Sequence, residues 1–304
     1  ARESKHGWVR LGEVKLENRT FLGNSSRVSR DITVQSGVLA GVASEVPADN
    51  RPNDSFLGLP AISFARSQAQ GDVELRYRPT PALRAKRLSV ELFRLTTASF
   101  TFVFFSFCIQ VAGVLPADPQ SATLWAVKFG LLYAACGYLA ILVTAAAKWA
   151  LVWRVKKSSH NLWTNFVWRN ELVWNYVESL AIPWVGSLTV DTSIQSTIFR
   201  LLGAKIGKNT SIATWFLDDP DLIEIGENCN IMKSADVQTH LFQDRVMQLD
   251  YVRLGDSADL GSGAFILPGV FVGSGSEISS GSLVTRNDQI LPNSRLRGNP
   301  TESR

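Results

Sequence analysis

Residues 252–285 read VRLGDSADLGSGAFILPGVFVGSGSEISSGSLVT, with an aliphatic residue at every sixth position. These positions are Leu254, Leu260, Ile266, Val272, Ile278 and Val284. A period of six is typical of a parallel β-helix, in which each short strand turns one aliphatic side chain inward and small residues form the corners. Glycine follows three of the six directly, at Gly255, Gly261 and Gly273. The stretch therefore predicts a parallel β-helix built from hexapeptide repeats.

The same period occurs in two other parts of the chain. Upstream it includes Ile206, Ile212, Ile225, Ile231 and Val237. Near the N-terminus it includes Leu16, Leu22, Val28, Val34, Ala40 and Val46. Two regions with one period, separated by unrelated sequence, predict two tandem β-helices in one chain.

Short text matches between the two regions suggest an alignment. VRLG occurs at residues 9–12 and 252–255, Ser36-Gly37 matches Ser280-Gly281, and Gly58-Leu59-Pro60 corresponds to Gly298-Asn299-Pro300. Aligned on VRLG, Arg245 falls on Arg2 and the counterpart of His240 falls just before residue 1. We therefore expect the first β-helix to begin partway through, in a piece of a larger repetitive protein, because terminal coils need neighbours to cover them.

Two long uncharged stretches separate the repeat regions. No charged residue lies between Leu95 and Ala117 or between Phe129 and Ala147. Since ~20 helical residues cross a bilayer core of about 30 Å, the sequence predicts a transmembrane hairpin with spans at about 95–117 and 126–150. The alternative is a pair of buried helices in a soluble protein.

Basic residues flank the predicted hairpin and are absent from its loop. They are Arg84, Lys86, Arg87 and Arg94 before it, and Arg154, Lys156 and Lys157 after it. Because positive charge favours the cytoplasmic side, both ends of the hairpin and both β-helices are expected on that face of an integral membrane protein. Lys148 and Arg154 are interpreted as anchors of the second span at the membrane edge.

Tryptophan is concentrated around the end of the hairpin and after it. Seven of the nine tryptophans lie between Trp125 and Trp184. In NLWTNFVWRNELVWNYVESLAIPWV (residues 161–185), apolar and aromatic residues recur at helical spacing with charges between them. This pattern predicts a helix lying in the membrane interface. The alternative is a helix that covers the neighbouring domain.

These features divide the chain into four parts. Residues 1–78 hold part of the first β-helix and its tail, 79–157 the transmembrane hairpin, 158–200 the interfacial helix and linker, and 201–304 the second β-helix. The basic residues of a chain with net charge +4 follow the membrane flanks, so no nucleic-acid partner is indicated. Three scattered cysteines and three histidines indicate neither a disulfide framework nor a metal site.

His240 lies where the six-residue period of the second β-helix is interrupted. Residues 241–251 depart from the period directly after it, so a loop is expected to leave the β-helix there. An imidazole at such a junction, with an ordinary pKa near ~6.5, can accept a proton from an attacking amine or hydroxyl. Asp244 and Arg245 are candidates for orienting the ring or binding a substrate carboxylate. The alternative is a surface histidine in a polar loop.

A second polar stretch, Asp218-Asp219-Pro220-Asp221, places three carboxylates beside a proline. One interpretation is a turn held by hydrogen bonds from the side chains to the backbone. The other is a site for the ammonium group of an acceptor, with Asp219 and Asp221 as its candidates.

The second repeat region resembles a known enzyme family. THLFQDR (239–245), followed by VRLG, ILPGVFVG (266–273), SGSLVT (280–285) and RGNP (297–300), is similar to left-handed β-helix acyltransferases of the maltose and galactoside O-acetyltransferase type. The resemblance implies a left-handed β-helix, His240 as general base, and active sites between neighbouring β-helices of a trimer. It also implies a groove for a phosphopantetheine arm, lined by Gly261, Gly263, Ala264, Ser280 and Arg286.

A second resemblance covers essentially the whole chain. The hairpin, the Trp-rich segment, FRLLGAKIG (199–207), DPDLIEIG (219–226) and the tandem repetition resemble the C-terminal membrane region of the poly-lysine synthetase family of nonribosomal peptide synthetases. In that family, adenylation and carrier domains precede transmembrane helices and tandem β-helices that join amino acids into amide-linked oligomers. The resemblance implies those domains, an amino-acid or oligomer acceptor, and membrane lipid as partners.

The expected function is transfer of an acyl or aminoacyl group from a carrier-bound thioester to an amine at the cytoplasmic membrane face. The expected cofactor is the phosphopantetheine arm of a carrier domain, or a coenzyme A thioester, without a metal. The tandem copies, or a homo-oligomer, are expected to form the site. Two alternatives stay open: a non-catalytic platform that gathers carrier domains, and an acetyl-CoA-dependent membrane acetyltransferase, with Arg253 and Arg286 as candidates for binding the adenosine phosphates.

Overall fold

The computed structural model of the protein describes residues 2–65, 76–113 and 116–303. Residues 66–75, in the tail of the predicted first domain, and residues 114–115, near the end of the first predicted span, lie outside these ranges. The described residues form two β-helices, with a group of packed helices between them in the sequence.

The first β-helix consists of short strands paired in parallel. Its strands, with a hairpin at each end, are β1 Arg2–Lys5, β2 Trp8–Leu11, β3 Val14–Leu16, β4 Phe21–Leu22, β5 Arg27–Val28, β6 Ile32–Val34, β7 Leu39–Ala40, β8 Glu45–Val46, β9 Ser55–Leu57 and β10 Ile62–Ser63. Strands three apart are neighbours, β3 with β6, β4 with β7 and β5 with β8. Three hexapeptides therefore complete one coil.

The region between the β-helices is mainly helical. Its elements are α1 Pro81–Ala112, α2 Pro119–Leu151, β11 Ser158–Asn161, α3 Asn165–Tyr176, a π-helical segment Val177–Gly186, α4 Ser187–Thr189 and α5 Ser193–Leu202.

The second β-helix repeats the arrangement with more coils. Its strands are β12 Lys205–Ile206, β13 Ser211–Ile212, β14 Ile223–Ile225, β15 Asn230–Ile231, β16 Asp236–Val237, β17 His240–Gln243, β18 Val246–Leu249, β19 Val252–Leu254, β20 Asp259–Leu260, β21 Phe265–Ile266, β22 Phe271–Val272, β23 Glu277–Ile278, β24 Leu283–Val284, β25 Gln289–Ile290, β26 Arg295–Gly298 and β27 Thr301–Ser303. A 3-10 turn, Pro220–Leu222, precedes β14. The coil strands stack in parallel, as β19 on β14 and β22 on β19.

The six-residue period marks the interior of both β-helices. Ile266, Val272 and Ile278 are completely buried, and Val34 and Ala40 are buried in the same way in the first copy. Burying an aliphatic side chain of this size contributes about 1.5–3 kcal/mol. The stacked hexads thus form one continuous apolar core along each β-helix.

The two copies align differently from the VRLG match. In the first copy β1 and β2 form a hairpin that pairs Arg2 with Leu11, and in the second copy β17 and β18 form a hairpin that pairs His240 with Leu249. Each hairpin leads directly into the first coil strand, β3 or β19. The counterpart of His240 is therefore Arg2, and the expectation of a position before residue 1 is wrong. The VRLG match fails because Val9 lies in a hairpin strand, whereas Val252 lies in a coil strand.

The two long helices differ from the predicted spans at their ends. Helix α1 begins at Pro81, because the Thr80 side chain accepts the N–H of Leu83 at 3.3 Å, and it ends at Ala112, where Gly113 turns the chain with a φ of 83°. The charged flank thus belongs to the helix. Helices α1 and α2 are long and apolar enough to cross a membrane, a test of length and composition that core helices of soluble proteins also pass.

The Trp-rich region is not one continuous helix. Strand β11 pairs with β18, and α3 passes into the π-helical segment, where Pro183 lacks the N–H that a regular helix needs. Trp168 and Trp184 are buried in protein, and the Trp184 ring lies 4.9 Å from that of Tyr133 in α2. Much of the predicted apolar face therefore packs on the helical hairpin.

Candidate active site

The site is assembled where two excursions leave the same corner of the second β-helix. Leu217 pairs with Val237 on the next coil, so the residues after each lie side by side. The Thr239 hydroxyl donates to the Asp218 carbonyl at 2.6 Å. One residue further on, Nδ1 of His240 lies 2.6 Å from Oδ2 of Asp219. The β-helix itself thus brings a histidine and a carboxylate into contact.

Asp219 is the buried partner that orients the ring. Its side chain is inaccessible to solvent, Oδ2 also accepts the Thr239 hydroxyl at 3.1 Å, and Oδ1 accepts the amide of Asn170 at 2.8 Å. Burial raises the pKa of Asp219, but the charge of His240 and these hydrogen bonds bring it below its usual range. Because an ionised carboxylate only accepts, Nδ1 of His240 carries the hydrogen and Nε2 is the nitrogen that exchanges a proton.

The electrostatic surroundings hold a proton on His240. Burial lowers the pKa of His240, but the charge of Asp219 and the hydrogen bond to it, with contributions from Asp218 and Asp236, raise it to about 9. Burial raises the pKa of the neighbouring Asp218 to about 7, against the opposing charge of His240. At neutral pH the resting imidazole is mostly protonated, so its base form becomes more abundant as the pH rises.

His240 faces a cavity of about 270 Å³ between the two β-helices, here called the β-helix cavity. The first copy contributes Phe21, Asn24, Leu39, Val42, Leu57 and Phe64. The second copy contributes Asp218, Gln238, His240, Phe242, Leu267 and Arg286. Hydrogen bonds beyond the cavity join the copies, since Asn299 donates to the Ala43 carbonyl at 2.7 Å and accepts from the Leu59 N–H at 2.9 Å.

A second cavity, of about 300 Å³, also borders His240 and is here called the helix-side cavity. It is lined by Arg94 of α1, by Asn170, Glu171, Trp174 and Asn175 of α3, by Glu178, and by His240, Phe242 and Met247 of the β17–β18 hairpin. His240 and Phe242 therefore border both cavities.

Asp244 and Arg245 do not orient the His240 ring as expected. They form the turn at the far end of the β17–β18 hairpin, with φ values of 50° and 60°. Arg245 donates to the Arg76 carbonyl at 3.1 Å, and its guanidinium lies 5.3 Å from the centre of the Tyr77 ring. The expectation fails because the residues after His240 continue in an extended strand, which carries them away from it.

Asp221 also lies apart from the two cavities. Its carboxylate contacts Nζ of Lys148 at 2.7 Å and accepts the Val155 N–H at 3.0 Å. Lys148 is buried, so it does not lie at an open membrane edge as the sequence suggested. Of the two acidic residues considered for an acceptor, Asp219 is bound to His240 and Asp221 is bound to Lys148.

Of the five residues expected along the phosphopantetheine groove, Arg286 lines the β-helix cavity. Gly261, Gly263 and Ala264 form the turn before β21, and Ser280 lies in the turn before β24, whereas the cavity lies past the ends of these strands. A Cβ on Gly261 would approach the Ser280 nitrogen to 2.4 Å, so Gly261 permits close stacking of coils. Among the described residues, no group of three or more His, Cys, Asp or Glu side chains is arranged to hold a metal ion.

The sequence did not predict that Asp219 pairs with His240, or that Asn170 donates a hydrogen bond to Asp219. A signal was present: Asp218 and Asp219 follow the third strand position of one coil, and Gln238 to His240 follow the same position of the next. Segments that leave one corner on successive coils must meet. The contribution of Asn170 comes from the distant helix α3 and has no comparable signal.

For a transfer reaction with His240 as its base, we expect the rate to rise with pH, to reach half its maximum near pH 9 and to level off above it, because the imidazole must lose its proton to act as a base. Changing Asp219 to Asn removes the charge that raises this pKa, so the inflection moves to lower pH while the plateau rate falls. Initial rates between about pH 6 and about pH 10 would be measured with methoxyamine, which is unprotonated throughout this range, after the rate without protein has been subtracted. An inflection that stays in place in Asp219→Asn would contradict this assignment.

No protein-family model matches the chain. It is 32% identical over 264 residues to the delta-poly-L-ornithine synthetase of Acinetobacter baumannii strain AB307-0294, a match that covers 84% of this chain and 20% of that protein. The chain thus spans about a fifth of the length of this curated relative.

Solved hexapeptide-repeat enzymes overlap with a smaller part of the chain. A galactoside acetyltransferase in complex with coenzyme A is 20% identical, with a TM-score of 0.30, covering 36% of this chain and 68% of that one. A hexapeptide-repeat acetyltransferase from Vibrio cholerae, complexed with acetyl coenzyme A, is 17% identical, with a TM-score of 0.32, covering 38% and 80%. The sequence-based resemblance to a poly-amino-acid synthetase is therefore confirmed: the chain is similar to part of the delta-poly-L-ornithine synthetase over most of its own length.

Proposed function

We propose that this chain transfers an aminoacyl group from a phosphopantetheine thioester to an amine and so forms the amide bonds of an amino-acid oligomer. The observation that carries the proposal is the His240–Asp219 pair at a cavity formed by both β-helices. The similarity to a delta-poly-L-ornithine synthetase supports a cationic amino acid as substrate. Carrier and adenylation domains of the same larger protein are the proposed partners.

His240 acts as a general base and then as a general acid. Nε2 accepts a proton from the acceptor amine, whose nitrogen bonds to the thioester carbonyl carbon. As the tetrahedral oxyanion collapses, the C–S bond breaks, and the imidazolium returns the proton to the leaving thiolate, giving an amide and a free thiol. Asn24 offers a side-chain amide in the same cavity for the oxyanion. A cationic acceptor beside the imidazolium lowers the pKa of His240 and favours the base form.

The β-helix cavity fits the donor. Its walls are mainly apolar, with Phe21, Leu39, Leu57 and Leu267 among them, which suits the aliphatic part of a pantetheine arm. Arg286 of the second copy also lines this cavity, where its guanidinium suits a phosphate, and its side chain donates to Gln248. Gly261, Gly263, Ala264 and Ser280 lie outside this cavity.

We place the reaction at the cytoplasmic face of a membrane. Large apolar side chains of α1 are exposed in the described chain, among them Phe102 at 75% and Val103 at 60%. Contiguous apolar exposure of this kind is rare on soluble surfaces and is satisfied by lipid. The basic flanks support an orientation with both β-helices on the cytoplasmic side.

The test is amide formation by the protein in nanodiscs, with S-(L-ornithyl)-pantetheine as donor and L-ornithine as acceptor, followed by mass spectrometry. Val42→Trp should raise the KM for the donor by roughly tenfold or more by filling the β-helix cavity from the first copy. Lys15→Trp, at an exposed position outside the cavity, is the matched control. If no amide forms, the non-catalytic platform becomes the better account, and if acetyl-CoA alone is an effective donor, the chain is an acetyltransferase.

A further inference from the structure

The helix-side cavity has no role in binding the donor described above, although it reaches the same histidine. His240 and Phe242 line both cavities, and the Phe242 ring packs edge-on against the His240 ring at 5.4 Å between centres. Nδ1 of His240 is held by Asp219, and 16% of the His240 side chain remains accessible. A substrate in either cavity therefore lies beside the imidazole.

The two cavities differ in chemical character. The β-helix cavity is mainly apolar, whereas the helix-side cavity carries two glutamates, two asparagines and one arginine. Two substrates of different polarity can thus be held in separate cavities that share one histidine. A charged amine is more compatible with the polar cavity, because an ammonium buried among apolar groups loses its hydration without gaining a partner.

The charges of the helix-side cavity are mostly paired, with one exception. Glu171 forms ion pairs with Arg87 and Arg94, and Arg94 also contacts Glu91 at 3.3 Å. Glu178 is exposed and forms no ion pair within the ranges that the structure describes. Its charge also raises the pKa of Asp218 beside His240, so its field extends to the reaction centre. The cavity therefore presents an uncompensated carboxylate near the base.

We propose that the helix-side cavity is the acceptor site, which binds a cationic amino acid or short cationic oligomer through Glu178, while the donor thioester reaches His240 from the β-helix cavity. This inference rests on the proposed function, because it assigns the second substrate of the same transfer reaction. The acceptor amine reaches His240 past Phe242 and Met247, and the new amide forms at the boundary between the two cavities.

The first test is acceptor kinetics in nanodiscs, with the pantetheine thioester held constant. Glu178→Gln should raise the KM for L-ornithine by roughly tenfold, the range expected for losing one charge-assisted contact, and leave the KM for the donor unchanged. L-Norvaline, which lacks the side-chain amine, should show no such change. Glu227→Gln replaces an exposed glutamate outside both cavities and should match the unmodified protein.

The second test measures binding without turnover. Calorimetry measures the affinity of the same protein for trilysine. This affinity should fall by roughly tenfold in Glu178→Gln and stay unchanged in Glu227→Gln. If amide forms but neither the KM for L-ornithine nor trilysine binding responds to Glu178, this inference fails and the proposed function stands. If no amide forms but trilysine binding depends on Glu178, the proposed function fails and the cationic site remains.

Discussion

Replacing His240 with alanine should lower the rate of amide formation by a factor of about 10² to 10⁴, the contribution of a positioned general base. Loading of the carrier should persist, because it is the task of the proposed adenylation domain, which this change does not touch. The measurement is oligomer formation by the full-length protein in native membranes, supplied with an amino acid and ATP, with loading of the proposed carrier domain followed in parallel.

The matched control for this prediction is His160→Ala. His160 lies in β11, stacks on Phe166 with 4.1 Å between ring centres, and borders neither cavity. It should leave the rate within about twofold of the unmodified protein, as expected for a change away from the reacting groups. Oligomers formed at an unchanged rate by His240→Ala would make this histidine incidental and would favour a platform role.

Replacing Lys148 with methionine should reduce the free energy of unfolding by about 3–5 kcal/mol, the range seen when one partner of a buried ion pair is removed. The side chains of Lys148 and Asp221 are 3% and 8% exposed, so the remaining carboxylate is left without water or a counter-ion. Adding Asp221→Asn should restore most of the loss, because the amide is neutral and its oxygen can still accept the Val155 N–H.

Thermal and denaturant unfolding in detergent micelles, followed by tryptophan fluorescence, measures these changes. Lys156→Met, at an exposed position of the same basic flank, is the control and should shift stability by less than about 0.5 kcal/mol. An unfolding midpoint of Lys148→Met equal to that of the unmodified protein would show that the pair contributes nothing to stability.

The β-helices could be predicted from the sequence because their core has a period that no other requirement disturbs. Each hexad residue, such as Leu260 or Ile278, must point inward, so the six-residue period is visible in the amino-acid sequence itself. The predicted alignment of the two copies was wrong, because it was based on the VRLG match and not on the six-residue period. Leu16 and Leu254 occupy equivalent hexad positions, and this equivalence alone gives Arg2 as the counterpart of His240.

The site could be predicted only in part, since its partners come from three separate segments. His240 was identified by the break in the rhythm, but Asp219 precedes it by a full coil and Asn170 lies in a helix before the β-helix. The way the two copies face each other brings Arg286 of one copy and Val42 and Leu57 of the other to the same cavity. Such inter-element geometry is set by packing and leaves no period in the sequence.

The contact between two unequal copies has a consequence for how this site can change over generations. In a ring of identical subunits, every substitution recurs at every interface. Here the two copies are encoded at separate positions of one sequence, and the position equivalent to His240 in the first copy holds Arg2. A substitution in one copy therefore changes its own side of the β-helix cavity and is not repeated in the other copy.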